Sequence, residues 1–276
     1  MNRIPGRSDL HTARLLVTVA AIALSTAAGG CATTPSSSDV TGSVATDNAP
    51  RSEAEWRREM DLWGPRYRVN PSDSQAAIRY AQALRAIGQR AQAAAVLEQA
   101  TISNPHDRPL LGAYGRALAD NGNYGQALEV LNKAHSPDRP DWRILSVQGA
   151  ALDQLGRHGE AQQYYASALR LMPDEPSVLS NLGLSYALSK KLPQAESTLR
   201  RAAQQRLADP KIRQNLALVV GLQGRFAEAE TIVRADLSPD EATQNVAYLR
   251  KMLAEQQNDM NMKKLGRPGA AITPSS

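Results

Sequence analysis

Small and large apolar residues recur along the chain with a period of 34 residues. Alanine stands at the same place in five successive segments, at Ala93, Ala127, Ala161, Ala195 and Ala229. A leucine, tyrosine or valine stands nine residues before each alanine, and another stands four residues after it. A fixed period of this length is typical of stacked helical hairpins, in which each segment forms one pair of helices.

Two further positions keep this period when each repeat is counted from residue 74, 108, 142, 176 or 210. The eighth residue is always small, as close crossing of two helices requires. These residues are Ala81, Gly115, Gly149, Gly183 and Ala217. The fifteenth residue is glycine in four repeats (Gly88, Gly122, Gly156 and Gly224) and Lys190 in the other. Glycine at this place predicts the left-handed residue that ends a helix.

With these positions the chain resembles the tetratricopeptide repeat family, whose repeats carry small residues at positions 8 and 20 and large ones at 11 and 24. The resemblance covers residues 74–237 and implies an all-α, right-handed superhelical solenoid. Five repeats are expected, at 74–107, 108–141, 142–175, 176–209 and 210–237. An unrelated alanine-rich bundle is the alternative, but a bundle has no reason to keep a 34-residue frame.

A helix ahead of the repeats is expected to cover the first hairpin. Trp56, Met60 and Trp63 follow one another at helical spacing, which predicts a half-repeat over residues 51–73. Aromatic residues at such spacing usually belong to a core. An exposed aromatic stripe that docks a partner is the alternative.

The last repeat is expected to pass into a capping helix over residues 238–257. The sequence Ser-Pro-Asp-Glu at 238–241 has a serine cap, a proline in the first turn and a glutamate that closes a capping box. Residues 258–276 lack periodicity and are expected to form a disordered tail. Arg213 and Asp236 replace apolar residues of the repeat pattern, as expected where the solenoid begins to face solvent.

The start of the chain resembles a bacterial lipoprotein signal. Three arginines precede an apolar stretch at 15–28, which is shorter than the roughly 20 residues that span a membrane. Small residues then lead into Cys31, the only cysteine. The resemblance implies removal of residues 1–30 and lipidation of Cys31. Ordinary secretory cleavage and an uncleaved anchor are the alternatives.

Residues 31–50 are expected to form a flexible tether, because they are rich in serine, threonine and small residues. Such a segment has a root-mean-square reach of about 25 Å. By resemblance to lipoprotein sorting signals, Ala32 in place of aspartate implies attachment to the outer membrane, on its periplasmic face.

Composition argues against nucleic-acid binding and catalysis. The formal net charge of +5 falls to +3 without the arginines and the aspartate of residues 1–30, and the remaining basic residues are interspersed with carboxylates. The chain has no glycine-rich phosphate loop, nucleophile elbow or His-x-x-x-His pair. We therefore expect no enzyme, metal, cofactor or small-molecule substrate. His106 and His158 are expected in solvated turns.

The repeat resemblance implies a concave face, lined by the first helix of each repeat, that binds a protein partner. The candidate residues of the first three repeats are mostly polar, namely Gln82, Arg85, Arg116, Asp120, Arg143, Asp153 and Gln154. Those of the last two repeats are Ser180, Asn181, Leu184, Lys211 and Asn215. Leu184, Leu188, Leu218 and Leu222 suit a peptide with apolar side chains, unless the capping helix folds back over them.

Residues 207–253 resemble the carboxyl-terminal part of the TadD-type lipoproteins of the tight-adherence (Flp) pilus system. The match extends through most of residues 53–264. It implies a scaffold that helps to assemble the pilus secretion machinery by stabilising or localising its secretin, as a pilotin does. An outer-membrane adaptor for peptidoglycan enzymes or for barrel-protein assembly is the alternative.

Replacing the candidate lipid attachment site, Cys31→Ser, should abolish lipidation and signal removal without changing the stability of the repeats. The serine hydroxyl cannot form the thioether, whereas Cys31 lies outside the repeats. Metabolic labelling with a radioactive fatty acid and gel mobility measure the two effects. Retained label and unchanged mobility would contradict the anchor.

Overall fold

The computed structural model describes residues 51–136, 138–206 and 208–265, with side chains described as far as Asn258. Over these ranges the chain forms helices and no strand, apart from an isolated bridge between Ser136 and Arg139. The helices are α1 (Glu53–Val69), α2 (Ser74–Ala86), α3 (Arg90–Ser103), α4 (Arg108–Asp120), α5 (Tyr124–Ala134), α6 (Trp142–Gln154), α7 (His158–Leu171), α8 (Pro176–Leu188), α9 (Leu192–Ala203), α10 (Pro210–Leu222), α11 (Phe226–Val233) and α12 (Pro239–Leu265).

Five consecutive hairpins coincide with the five predicted repeats: α2 with α3, α4 with α5, α6 with α7, α8 with α9, and α10 with α11. The prediction of an all-α chain of helical hairpins is confirmed. None of the helices described is both long and apolar enough to cross a membrane. The predicted signal peptide, Cys31, the tether and residues 266–276 lie outside the described residues.

An aspartate begins the first helix of four hairpins. Its carboxylate accepts hydrogen bonds from backbone N–H groups of the first turn, which have no partner within the helix. The four residues are Asp73, Asp107, Asp141 and Asp209. They keep the 34-residue period and add a helix-start signal to the predicted pattern. In the remaining hairpin Glu175 takes this place without a side-chain cap, ahead of Pro176.

The helices form two compact units that divide between Pro173 and Asp174. The first contains α1 to α7, and the second contains α8 to α12. In both units the alanine at position 20 is completely buried between the helices of its hairpin, at Ala93, Ala127, Ala161, Ala195 and Ala229. A side chain larger than a methyl group has no space at these positions.

The small residue at position 8 faces the large residue at position 24 of the same hairpin. A Cβ atom added to Gly149 lies 2.7 Å from Cε1 of Tyr165, and one added to Gly183 lies 2.6 Å from Cγ of Leu199. Such separations are well below ordinary van der Waals contact. The nearest atoms belong to side chains, so glycine makes room for the position-24 residue. This refines the expectation that close backbone approach alone requires it.

The residue at position 15 has a left-handed backbone in every repeat, which ends the first helix. The φ angle is 83° at Gly88, 86° at Gly122, 76° at Gly156 and 83° at Gly224. Lys190 adopts a φ of 62° in the same place. A side chain with a Cβ atom is strained in this region, so the hairpin geometry prevails over the residue preference in the fourth repeat.

Helix α1 covers the first hairpin, as expected. Met60, Trp63 and Tyr67 are partly buried and pack against the core of the first unit. The Trp63 indole donates a hydrogen bond to Glu59 at 2.9 Å, and the Tyr67 hydroxyl donates to the carbonyl of Val96 at 3.4 Å. Trp63 therefore belongs to the core rather than to an exposed docking stripe.

The first half of helix α12 covers the last hairpin. The expected capping box is present: the Ser238 N–H donates to the Glu241 carboxylate at 3.0 Å, and the Glu241 N–H donates to Ser238 Oγ at 3.4 Å. Ala242 and Val246 belong to the core of the second unit, while Leu249 fills the space above Gly221. The helix continues to Leu265, so the boundary predicted at 257 is too early.

Arg213 and Asp236, the two departures from the repeat pattern, form an ion pair with each other. Two guanidinium nitrogens of Arg213 lie 2.6 and 2.5 Å from the two carboxylate oxygens of Asp236. The Asp236 side chain is only 11% exposed and that of Arg213 28%. The expectation that they merely face solvent is wrong, because each replaces an apolar residue at a position that contacts the other.

Gly149→Ala should lower the free energy of unfolding by about 1–3 kcal/mol, because the added methyl group overlaps the buried ring of Tyr165. The matched control is Gly159→Ala in the facing helix of the same hairpin. No atom lies within 4 Å of a Cβ added to Gly159. The better helix propensity of alanine should therefore raise the free energy of unfolding by about 0.5–1 kcal/mol. Thermal denaturation measures both. Equal shifts would contradict the packing described.

Asp236→Ala should destabilise the second unit, because it leaves the partly buried Arg213 guanidinium without its partner. The double variant Arg213→Leu, Asp236→Ala restores the repeat pattern and should be at least as stable as the original chain, since apolar pairs often replace such ion pairs without loss. A double-mutant cycle measures the coupling, expected to be about 1 kcal/mol or more. If the effects of the two substitutions on stability were additive, this coupling would be contradicted.

Candidate functional site

The first unit contains a groove of about 630 Å³. Its walls are built mainly by α2, α4 and α6, the first helices of three hairpins, and by the loop between α5 and α6. The floor is apolar and is formed by Ile78, Ala81, Leu97, Pro109, Gly112, Ala113, Leu131, Ala134, Ile144 and Val147. A concave apolar surface of this size lies in the usual range for ligand sites.

Arginine dominates the polar part of the groove. The lining contains five arginines and one aspartate, namely Arg85, Arg108, Arg116, Arg139, Arg143 and Asp141. Gln82 and His135 complete it. Four of the predicted partner-binding residues, Gln82, Arg85, Arg116 and Arg143, thus line one groove. The charge in the groove is thus mainly positive.

The Arg85 guanidinium is held by Asp120, the last residue of the neighbouring first helix. Arg85 Nε donates to the Asp120 carboxylate at 2.5 Å. The side chains are 23% and 36% exposed, so the ion pair lies at the edge of the groove. Asp120 therefore orients an arginine of the groove instead of standing free for a partner.

Arg116 lies half-buried between Arg85 and Arg143, and it makes no hydrogen bond or ion pair with any residue in the described part of the chain. Burial lowers the pKa of its guanidinium, and the positive charges of Arg85 and Arg143 lower it further, against the opposite effects of Asp120 and Asp141. A guanidinium stays protonated at neutral pH in spite of such a shift. The groove therefore contains a positive charge that no direct ion pair among the described residues neutralises.

Arg143 lies at the start of α6, where local contacts orient it. Its guanidinium carbon lies 4.5 Å from the centre of the Trp142 ring, a cation–π contact. The Arg143 N–H donates to the Asp141 carboxylate at 2.8 Å. Asp141, the acidic residue of the groove, is thus engaged in capping its own helix.

A chain of polar side chains stands behind the wall of the groove. Gln148 is completely buried and donates to Asn132 Oδ1 at 2.7 Å. Its Oε1 lies 3.2 Å from Nε2 of His135. The other ring nitrogen of His135 is buried and has no partner among the described residues. An orphaned buried nitrogen is costly, and this one belongs to a ring that lines the groove.

The repeat position of Asp153 predicts that its side chain faces a partner, but in the structure it is buried within its own hairpin. Its side chain is 7% exposed and lies between α6 and α7, where His158 Nδ1 is 2.8 Å away and the Tyr165 hydroxyl donates at 3.1 Å. Burial, and then the neighbouring carboxylate, raises the pKa of Tyr165. His158, expected in solvent, is thus a structural partner of Asp153. Gln154, the last residue of α6, is exposed.

In the second unit the predicted partner residues are distributed differently. Ser180 is buried and accepts a hydrogen bond from the Asn215 amide at 3.0 Å, which joins α8 to α10. This bond is structural, contrary to the expectation that both residues face a partner. Asn181 and Leu184 are half-buried and Lys211 is exposed. Leu249 of helix α12 packs on Gly221, and Ala242 and Val246 of this helix share a core cluster with Val219 and Val220.

Two arginines of the groove, Arg108 and Arg139, are absent from the predicted set. Arg108 is the first residue of α4, and Arg139 lies in the loop before α6. The repeat pattern assigns partner positions only within the first helix, so it gives no signal for a loop residue. No group of three or more His, Cys, Asp or Glu side chains within the described ranges is placed to hold a metal.

Two sequence models of the tetratricopeptide repeat family match this chain, at residues 84–149 and 147–210. No curated protein sequence matches it. The helical hairpins, the period and these matches together confirm tetratricopeptide repeats in this chain.

Solved structures share the fold. PilW, described as a widely conserved type IV pilus biogenesis factor, is 17% identical with a TM-score of 0.62, over 70% of this chain and 91% of PilW. A thermophilic TPR protein from Thermus thermophilus is 24% identical with a TM-score of 0.56, over 66% of this chain and 99% of that protein. A chain of the APC/C hetero-tetramer Cut9–Hcn1 is 14% identical with a TM-score of 0.59, over 74% of this chain and 40% of that chain. At these identities the likeness concerns the fold.

Proposed function

We propose that this protein is a non-enzymatic scaffold that binds a segment of a partner protein in the arginine-lined groove of its first unit. The observation that carries this role is the groove itself, in which charged side chains surround an apolar floor on three first helices. Rigid helices hold these side chains in place before a partner arrives, which lowers the entropic cost of binding. No reacting group is needed for this task.

The process we propose is assembly of the tight-adherence (Flp) pilus secretion machinery, with a secretin or another pilus component as partner. The resemblance of residues 207–253 to TadD-type lipoproteins supports this role. PilW, a pilus biogenesis factor with a low identity, is an example of the same fold in a related process. Helices α10 to α12 contain most of the residues that carry the resemblance.

The anchor would place the groove near the membrane where the partner is assembled. We propose that Cys31 carries lipid at the outer membrane and that residues 31–50 link it to the repeats on the periplasmic side. A tether of that length confines the groove to within about 25 Å of its anchor on a root-mean-square basis. Confinement raises the effective concentration of a membrane-bound partner and so favours its capture.

Deletion of the gene should reduce the amount of multimeric secretin in the outer membrane fraction. Membrane fractionation and gel analysis of the multimer measure the effect, and the intact gene supplied on a plasmid is the control. Unchanged amount, multimer state and location would show that the pilotin role is wrong. Normal pili together with co-purification of a peptidoglycan hydrolase or barrel-insertion protein would favour an adaptor role instead.

A further inference from the structure

The first described helix has the place of a second helix in a hairpin. Helix α1 ends at Val69, and α3, the second helix of the first repeat, ends 34 residues later. In the turn after α1 the Asp73 N–H donates to the carbonyl of Asn70 at 3.1 Å. In the turn after α3 the Asp107 N–H donates to that of Asn104 at 3.2 Å. Counted in the same frame from residue 40, α1 is a second helix, and the described residues before it form no first helix.

The last helix has the place of a first helix. The buried residues of α12 have the spacing of positions 3, 7 and 10 in the first helices of the repeats. They are Ala242, Val246 and Leu249, and the corresponding residues of α10 are Ile212, Leu216 and Val219. Leu249 faces Gly221 of the preceding first helix, two positions further along the repeat. Ile144 faces Gly112 with the same offset. Position 1 of α12 is therefore residue 240, and no second helix follows it among the described residues.

Residues that the other hairpins bury are exposed at these two ends. Leu62, at position 23 of α1, is 48% exposed, whereas Val96 at position 23 of the first repeat is 7% exposed. The second helix before it covers Val96, whose carbonyl accepts a hydrogen bond from the Tyr67 hydroxyl. Ala247, at position 8 of α12, is exposed, whereas Ala81 at position 8 of the first repeat is buried. Each end therefore leaves a contact of the repeat unmade within the described chain.

We propose that the two ends complete each other between copies of the chain, with α12 of one copy and α1 of another as the first and second helices of a shared hairpin. In this pairing the small Ala247 at position 8 faces the large Trp63 at position 24, as Gly149 faces Tyr165 within one hairpin. The contact lies outside the arginine-lined groove and does not depend on the partner proposed above.

The charges of the two ends favour a head-to-tail contact. Arg66 of α1 is exposed at position 27. In the last hairpin position 27 pairs with position 4, where Asp236 contacts Arg213. Position 4 of α12 is Thr243, whose hydroxyl donates to the Glu230 carboxylate at 2.9 Å. The pairing thus brings an arginine of one copy towards a carboxylate of the other, whereas two α1 helices face to face would bring arginines together.

A contact between two different ends does not close on itself, so it links copies into short chains. Each linked copy adds one further groove, and a partner with several binding segments is then held more tightly. This consequence rests on the proposed scaffold function, whereas the contact itself does not.

Cross-linking between two variants, each with one introduced cysteine, tests the pairing. In complete hairpins a Cβ at position 8 lies close to the carbonyl oxygen of position 20, at 3.4 Å for Gly115 and 3.3 Å for Gly183. Cysteines at these two positions are therefore within reach of a disulfide bond. The corresponding variants are Ala247→Cys in α12 and Glu59→Cys in α1.

Full-length Ala247→Cys and Glu59→Cys proteins with different affinity tags, mixed and oxidised in detergent, should form a mixed disulfide dimer. The matched control replaces Glu59→Cys by Ala54→Cys, an exposed residue on another side of α1. The unchanged chain measures any link through Cys31. Absence of the mixed dimer, or an equally efficient link of Ala247→Cys to itself, would overturn the proposal.

Sedimentation equilibrium of the full-length protein in density-matched detergent measures association. The average mass should rise with concentration, and Leu62→Glu should weaken association at least about tenfold, because a charge in an apolar contact is costly. The control Ile102→Glu changes a residue of α3 that is 70% exposed and should leave association unchanged. Since Leu62 is half-exposed in a single copy, Leu62→Glu should not lower the melting temperature of the monomer. Equal loss in both variants, or a monomer at every concentration, would overturn the shared hairpin.

The chain's own tether is the competing occupant of the place beside α1. A double variant Val44→Cys, Glu59→Cys that forms a disulfide within one chain, without a change of mass, would assign the place to the tether and overturn the proposal. The deletion experiment does not bear on this contact, so the pilus role and the shared hairpin fail separately.

Discussion

The close fit between the two helices of each hairpin is the constraint on which the rest of the structure depends. Gly149 and Gly183 leave space for the side chains of Tyr165 and Leu199, and a buried alanine completes the contact. Because small residues recur at fixed positions, every hairpin closes with the same geometry. The first helix of each hairpin therefore exposes the same repeat positions. In the first unit, three such helices form the walls of the groove.

This regularity explains how much of the fold could be predicted from the sequence. The period locates every hairpin, and the glycines at position 15 locate the helix ends, where all five residues have a positive φ. Lys190 shows that the geometry persists where the preferred residue is missing. The end of α12 could not be placed, because a polar helix beyond its packed half carries no apolar periodicity. Its first half could be placed from the capping box at Ser238.

The candidate site could be predicted only in part, for a reason that particular residues make clear. Repeat position tells which side of a helix a residue occupies, and this placed Arg85, Arg116 and Arg143 on one groove. It does not tell whether a neighbouring helix supplies a partner. Asp153 is bonded by Tyr165, Ser180 by Asn215, and Asp236 by Arg213. Each pairing joins residues that do not share a helix, so composition and period alone do not reveal it.

Asp153 and Arg116 are two charged residues whose surroundings differ. Asp153 is more deeply buried, but hydrogen bonds compensate its carboxylate, so it contributes to the hairpin. Arg116 makes no such hydrogen bonds with the described residues, and the attraction of Asp120 and Asp141 does not offset burial and its like-charged neighbours. Folding alone would be served as well by an uncharged residue at this position. A rigid set of hairpins can hold such a charge in place at a position that lines the groove.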